Sequence, residues 1–136
     1  MGYSEAMTTP PPSHSYKELP VWQRSMRLVA DIYGITAKLP AAERLGLSHS
    51  LQTAAISLTT LLAGGSKAGK PGFALACRKA RSSAAEVETL LLVVQITYPD
   101  DKVTEDMDEL AGIETNLTEM IRRLENQSTQ SRQVSA

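Results

Sequence analysis

One run of apolar residues constrains this chain more than any other feature. Phe73, Cys77, Ala80, Ala84, Val87, Leu91, Val94 and Tyr98 follow one another at alternating intervals of four and three. That rhythm gathers all eight side chains on one side of an α-helix, whereas a strand would scatter them over both faces. It predicts a helix from Pro71 to Tyr98, ended by Pro99 and the two aspartates after it. At about 1.5 Å per residue this rod is roughly 42 Å long. Its first half is rich in Ala and Ser, so another helix can approach closely.

Three further segments can cover such a seam. A first helix is expected from Pro20, a proline suited to a first turn, to just before Pro40. It carries two apolar series: Trp22, Met26, Val29, Tyr33 and Thr36, and about 100° away Val21, Leu28, Ile32, Ile35 and Leu39. The first series has the spacing of a core seam. A second helix is expected from Ser48, as N-cap, to Ala63, with Leu47, Leu51, Ala54, Leu58 and Leu61 as its seam and Gly64-Gly65 as its stop. The fourth opens at Thr104, with acids in its first turn, and aligns Val103, Met107, Leu110, Ile113, Leu117, Ile121 and Leu124. Residues 41–46 read as a bend.

No segment shows the alternation of a strand. Short connections between four helices favour neighbours of opposite direction, so the expected fold is all-α, an antiparallel up-down-up-down four-helix bundle over residues 16–126. The proline-rich stretch 1–15 reads as a disordered leader and 127–136 as a disordered tail.

Charge is split along the chain. Residues 1–81 carry ten Lys/Arg against four Asp/Glu, and residues 82–136 carry four against eleven. Such a dipolar chain can pair with copies of itself or offer a local basic patch. A single cysteine excludes an internal disulfide framework, and the first residues form no apolar signal segment. The longest uninterrupted apolar run, residues 90–94, is too short to span a bilayer. Together these features predict a cytoplasmic protein with no membrane partner.

Several segments resemble a known family: Tyr16-Lys-Glu-Leu-Pro-Val-Trp-Gln-Arg, Glu43-Arg-Leu-Gly-Leu, Ala54-Ala-Ile-Ser, and Ala80 through Glu86-Val-Glu-Thr89. In that order and spacing they are similar to the bacterial four helix bundle proteins that include those encoded in ribosomal-RNA intervening sequences. Accessory variability proteins of diversity-generating retroelements belong to the same fold group. The resemblance spans about residues 16–125. It implies a four-helix bundle assembling as a ring-like homopentamer and does not imply an enzyme; the strongly basic retroelement members bind nucleic acid and a reverse transcriptase. This chain departs from the pattern in its second helix. Gln52 and Thr53 stand where the family usually carries a basic pair, and Thr59 to Gly65 replaces a Pro-Ser-Asn-Ile-Ala-Glu-Gly run. Those losses weaken the expectation of nucleic-acid binding more than that of the fold.

Candidate chemistry is sparse. Gly64-Gly-Ser-Lys-Ala-Gly-Lys70 approaches a phosphate-binding P-loop, but Pro71 replaces the Ser or Thr that holds magnesium, and a helix is expected before the glycines. A di-iron bundle needs Glu-x-x-His on two helices, and neither His14 nor His49 follows a glutamate by three. Cys77 lies in an apolar stripe with no histidine placed to activate it. Glu86 and Glu88, two apart on a helix, point away from each other. No catalytic residue, cofactor, metal or small-molecule substrate is therefore expected.

Two surfaces remain. Lys67, Lys70, Arg78, Lys79 and Arg81 form a basic run with no acid from residue 66 to 85, a candidate anion or nucleic-acid patch. The alternative is a solvated face, or one that meets the acidic fourth helix. Apolar residues beyond one stripe per helix, namely Leu28, Ile32, Ile35, Leu75, Leu92, Val93 and Ile96, are the candidate oligomer interface. The expected function is that of a homo-oligomeric scaffold or adaptor. The alternative is a nucleic-acid-binding accessory factor using residues 67–81.

Overall fold

The computed structural model describes residues 15–135, with side chains described through residue 127, so nearly all of the expected leader, His14 included, lies outside the described residues. Four α-helices carry the chain: α1 Pro20–Ala37, α2 Leu47–Gly65, α3 Gly69–Thr97 and α4 Asp101–Ser135. Short 3-10 turns at Tyr16–Glu18 and Ala41–Glu43 precede α1 and α2. No strand occurs among the described residues.

Each helix packs against its neighbours in the chain, and α4 returns to α1 to close the set. The α2–α3 and α3–α4 seams are the most extensive, and α1–α4 the least. Several pairs link the helices. Gly65 of α2 abuts Ala76 of α3. Arg78 of α3 pairs with Glu125 of α4. Arg24 of α1 and Lys38, the residue after that helix, reach Glu109 and Asp100 at 2.7 and 3.4 Å.

The core follows the expected seam of α3 closely. Cys77, Ala80, Ala84, Val87, Leu91 and Val94 are buried. Leu51, Ala54 and Leu58 meet them from α2, joined by Ala55 and Leu62. From α4 come Val103, Leu110, Ile113, Leu117 and Ile121.

On α1 the second apolar series forms the core, while the first is split: Thr36 is buried, and Trp22 and Val29 pack at the core's edge. Val21, Leu28, Ile32 and Ile35 are buried, while Met26 and Tyr33, from the series with core-seam spacing, are exposed. Both series have helical spacing, so only the partners decide which turns inward. Polar residues in the α1–α2 contact complete their bonds locally. Thr36 Oγ1 donates to the Tyr33 carbonyl at 3.2 Å and accepts from Gln52 Nε2 at 2.9 Å.

Helix ends differ from the sequence reading at several points, α2 running on through Gly65 and α3 opening at Gly69 among them. Helix α2 starts one residue earlier, with Gly46 at the N-cap and Ser48 buried inside the first turn. Helix α4 is capped by Asp100, whose Oδ1 accepts the Lys102 N–H at 3.0 Å, and not by Thr104. That helix also continues to Ser135, through the stretch from residue 127 that reads as a disordered tail. No Gly or Pro follows residue 126, so nothing in the sequence forces the helix to stop there.

Candidate functional site

The five cations of the basic run are exposed around the turn into α3, yet they do not form one open patch. Lys67 Nζ lies over the Tyr16 ring, 5.9 Å from its centroid, and that ring meets Trp22 edge-on at 5.2 Å. Arg78 pairs with Glu125, and Arg81 Nη1 reaches Thr118 Oγ1 at 3.4 Å. Helix α4 thus engages two of the five. Lys70 and Lys79 make no ion pair with a described residue.

The glycine-lysine segment takes the shape of a helix-to-helix turn. Helix α2 runs through Gly65, three residues follow, and Gly69 opens α3 with φ of +74°, a backbone state that favours glycine. A helix stands where a phosphate loop would need a strand, and Lys70 and Pro71 lie in the first turn of α3.

Cys77 is fully buried among the core residues of α3, and burial pushes its thiol up to about 11, with the nearby Arg78 charge opposing. At neutral pH it is a protonated, apolar-packed thiol, not a nucleophile. Glu86 and Glu88 diverge as expected. Glu86 borders an open groove between α2 and α3 with His49, Thr53 and Ser82, whereas Glu88 faces Glu114 of α4.

The candidate interface divides. Leu28, Ile32 and Ile35 lie wholly in the subunit's own core, which corrects their assignment to an oligomer interface: α2 and α4 already cover them and no surface is left for a second copy. Leu75, Leu92, Val93 and Ile96 are exposed, Ile96 at 82 %. They are not contiguous. Leu75 and Leu92 are seventeen residues apart, about 25 Å along the helix axis. Met26 and Tyr33 of α1 and Ile56 of α2 add a second exposed apolar group that the sequence reading missed. Ile56 is one turn beyond Gln52, and Tyr33 three residues before Thr36, so both flank the Thr36–Gln52 hydrogen bond.

Also missed were two acidic residues at seam positions of α4. Asp106 stands three after Val103 and four before Leu110, which places it among the core residues, and it is buried. Asp31 of α1 faces it, and Lys102 Nζ lies 3.7 Å from Asp106 Oδ1 and 3.5 Å from Asp31 Oδ2. Glu114, four residues after Leu110, takes the matching place on the α3 side against Glu88. Their spacing was the signal available in the sequence. No group of three or more His, Cys, Asp or Glu placed to hold a metal occurs among the described residues. No helix among them is long and apolar enough to cross a membrane.

Fold and surface together define a small all-helical protein of four packed helices, with ion pairs linking α4 to both α1 and α3. The family model of the 23S rRNA-intervening sequence protein matches residues 17–126, and the chain belongs to that family. No match is found among curated proteins.

Proposed function

We propose that this protein works by assembly: a non-enzymatic, antiparallel up-down-up-down four-helix bundle that forms a homo-oligomer and serves in the cytoplasm as a scaffold or adaptor. The exposed apolar residues at the far end of α3 carry this reading. Leu92, Val93 and Ile96 face solvent on a helix whose opposite side is already covered by the core. Met26, Tyr33 and Ile56 supply a second surface, so two different patches are available to neighbouring copies. The up-down course of the helices is supported by Gly65–Ala76 and Arg78–Glu125, each joining a late part of one helix to an early part of its neighbour in the chain, and by Lys38–Asp100 and Arg24–Glu109, in which a step back along α1 is a step forward along α4. The family resemblance favours five subunits. The inert state of Cys77 supports a role without covalent chemistry.

Light scattering on the purified chain tests this directly. The expected result is a particle of five times the 14.7 kDa chain mass, shifting to smaller species on Val93→Lys with Ile96→Lys. A wild-type particle at the single-chain mass would overturn the proposal.

A second reading rests on Lys70 and Lys79, which are exposed, pair with no described acid and remain open to phosphate groups. On that reading the protein binds duplex DNA or ribosomal RNA with an affinity that drops steeply with salt.

A further inference from the structure

Helix α4 meets both neighbours through facing carboxyl groups, and one oxygen in each pair is buried without a hydrogen-bond partner: Asp106 Oδ2 towards α1 and Glu114 Oε1 towards α3. A carboxylate can only accept hydrogen bonds, so two facing carboxylates leave such an oxygen unsatisfied and place like charges together. A single proton between them removes both penalties. It supplies an O–H donor and leaves one negative charge for the cation beside the pair.

The α1 side offers the fuller geometry. Asp106 is 1 % exposed, and Lys102 Nζ is shared among Asp106, Asp31 and Glu105, the last at 3.3 Å. Arg27 and Glu109 border the same recess, Glu109 being held by Arg24 at 2.7 Å, and no residue of α2 or α3 lines it. One lysine therefore serves three carboxyl groups. This seam is also the least extensive of the four between helices.

We propose that a proton shared between Asp31 and Asp106 latches α1 to α4, so that this seam loosens as the pH rises and the proton leaves. Burial is the main force pushing the Asp106 carboxyl up, to about 7; Asp31 adds to the rise, Lys102 opposes it and Glu105 reinforces it. In the unfolded chain the same group returns to about 3.9. The folded state thus binds the proton more tightly, and the stabilisation is complete below about pH 4 and lost as pH rises through about 7. Glu114 shifts in the same direction, by burial and by the charge of Glu88, so its contribution has to be separated.

The test is urea unfolding of the full chain from pH 5 to 8 in a Glu114→Gln background, with and without Asp106→Asn. In the background protein the folding constant should fall by up to about tenfold per pH unit, levelling off above about pH 7. The amide introduced by Asp106→Asn carries its own N–H donor and cannot ionise, so this substitution should remove most of that slope and give the more stable protein at pH 8. Hydrogen exchange, corrected for its intrinsic pH dependence, should show α1 amides gaining exchange relative to those of α3 as the pH rises, and only with Asp106 present. Equal slopes with and without Asp106→Asn, or uniform exchange in α1 and α3, would overturn the proposal. Asp31→Asn removes the same pair from the other helix and decides the matter if Asp106→Asn does not fold.

Discussion

Gly65 at the end of α2 lies so close to Ala76 of α3 that a methyl group on the glycine would fall on the alanine Cβ. The glycine pair expected only to end α2 therefore has a packing role as well. Gly65→Ala should destabilise the protein by about 1–3 kcal/mol, the usual range for overpacking, because neither small side chain can rotate away. Ala76→Gly placed in that background should recover part of the loss, since it reopens the space. Urea midpoints of the two variants and their combination test the coupling.

Gly112 of α4 is also crowded, but by the guanidinium of Arg24. A long side chain can swing aside where an alanine Cβ cannot. Gly112→Ala should disturb the Arg24–Glu109 pair, a partly exposed bridge worth roughly 0.2–1 kcal/mol. It should also gain up to about 1 kcal/mol of helix propensity. The expected outcome is a change within about 0.5 kcal/mol, against the clear loss at Gly65. Thermal unfolding of the two glycine variants side by side separates these cases.

Ile32 and Tyr33 are neighbours in sequence with opposite fates, the first buried in the core and the second 47 % exposed. Ile32→Ala should cost about 2–5 kcal/mol, the range for a large core residue cut to alanine. Tyr33→Ala should leave the stability of the isolated subunit within about 0.5 kcal/mol. If Tyr33 lies in an assembly interface, its loss should appear instead as a lower particle mass. Urea unfolding together with light scattering on both variants makes the distinction.

That pair also shows where sequence reading succeeds and where it stops. On α3 the buried stripe from Cys77 to Val94 was legible because one apolar series dominates and exposed positions between its members are mostly polar or small. On α1 two series compete, and helical spacing alone cannot say which one its neighbours will cover. Choosing wrongly there placed Leu28, Ile32 and Ile35 on a surface they do not reach. Asp106 and Glu114 were overlooked for a related reason: their charge suggests solvent, although their register is that of the core. The basic run was legible as a cluster of cations. Its partial engagement by Glu125 and Thr118 depends on how α4 lies beside α3, which no local pattern encodes.

Lys70 and Lys79 separate the two functional readings. If the basic end of α3 contacts a phosphate backbone, Lys70→Ala with Lys79→Ala should weaken binding to duplex DNA or ribosomal RNA and flatten its salt dependence by about two units of log–log slope, roughly one per lost contact. If the protein acts by assembly alone, the same variant should behave as wild type in binding and in light scattering. Filter binding at several salt concentrations is sufficient, provided the variant unfolds at the wild-type urea midpoint.

Cys77 offers a probe of core opening that leaves the chain intact. A thiol with its pKa raised to about 11 and no solvent exposure presents almost no thiolate at pH 8. Reaction with a disulfide reagent should therefore be far slower than for a free cysteine, and should accelerate in step with unfolding as urea is added. Because Cys77 lies in α3, away from the α1–α4 seam, loosening that seam alone should leave it protected. Rapid labelling of the native protein at pH 8 without urea would mean that the α3 core opens readily, and would contradict the burial on which the four-helix packing rests.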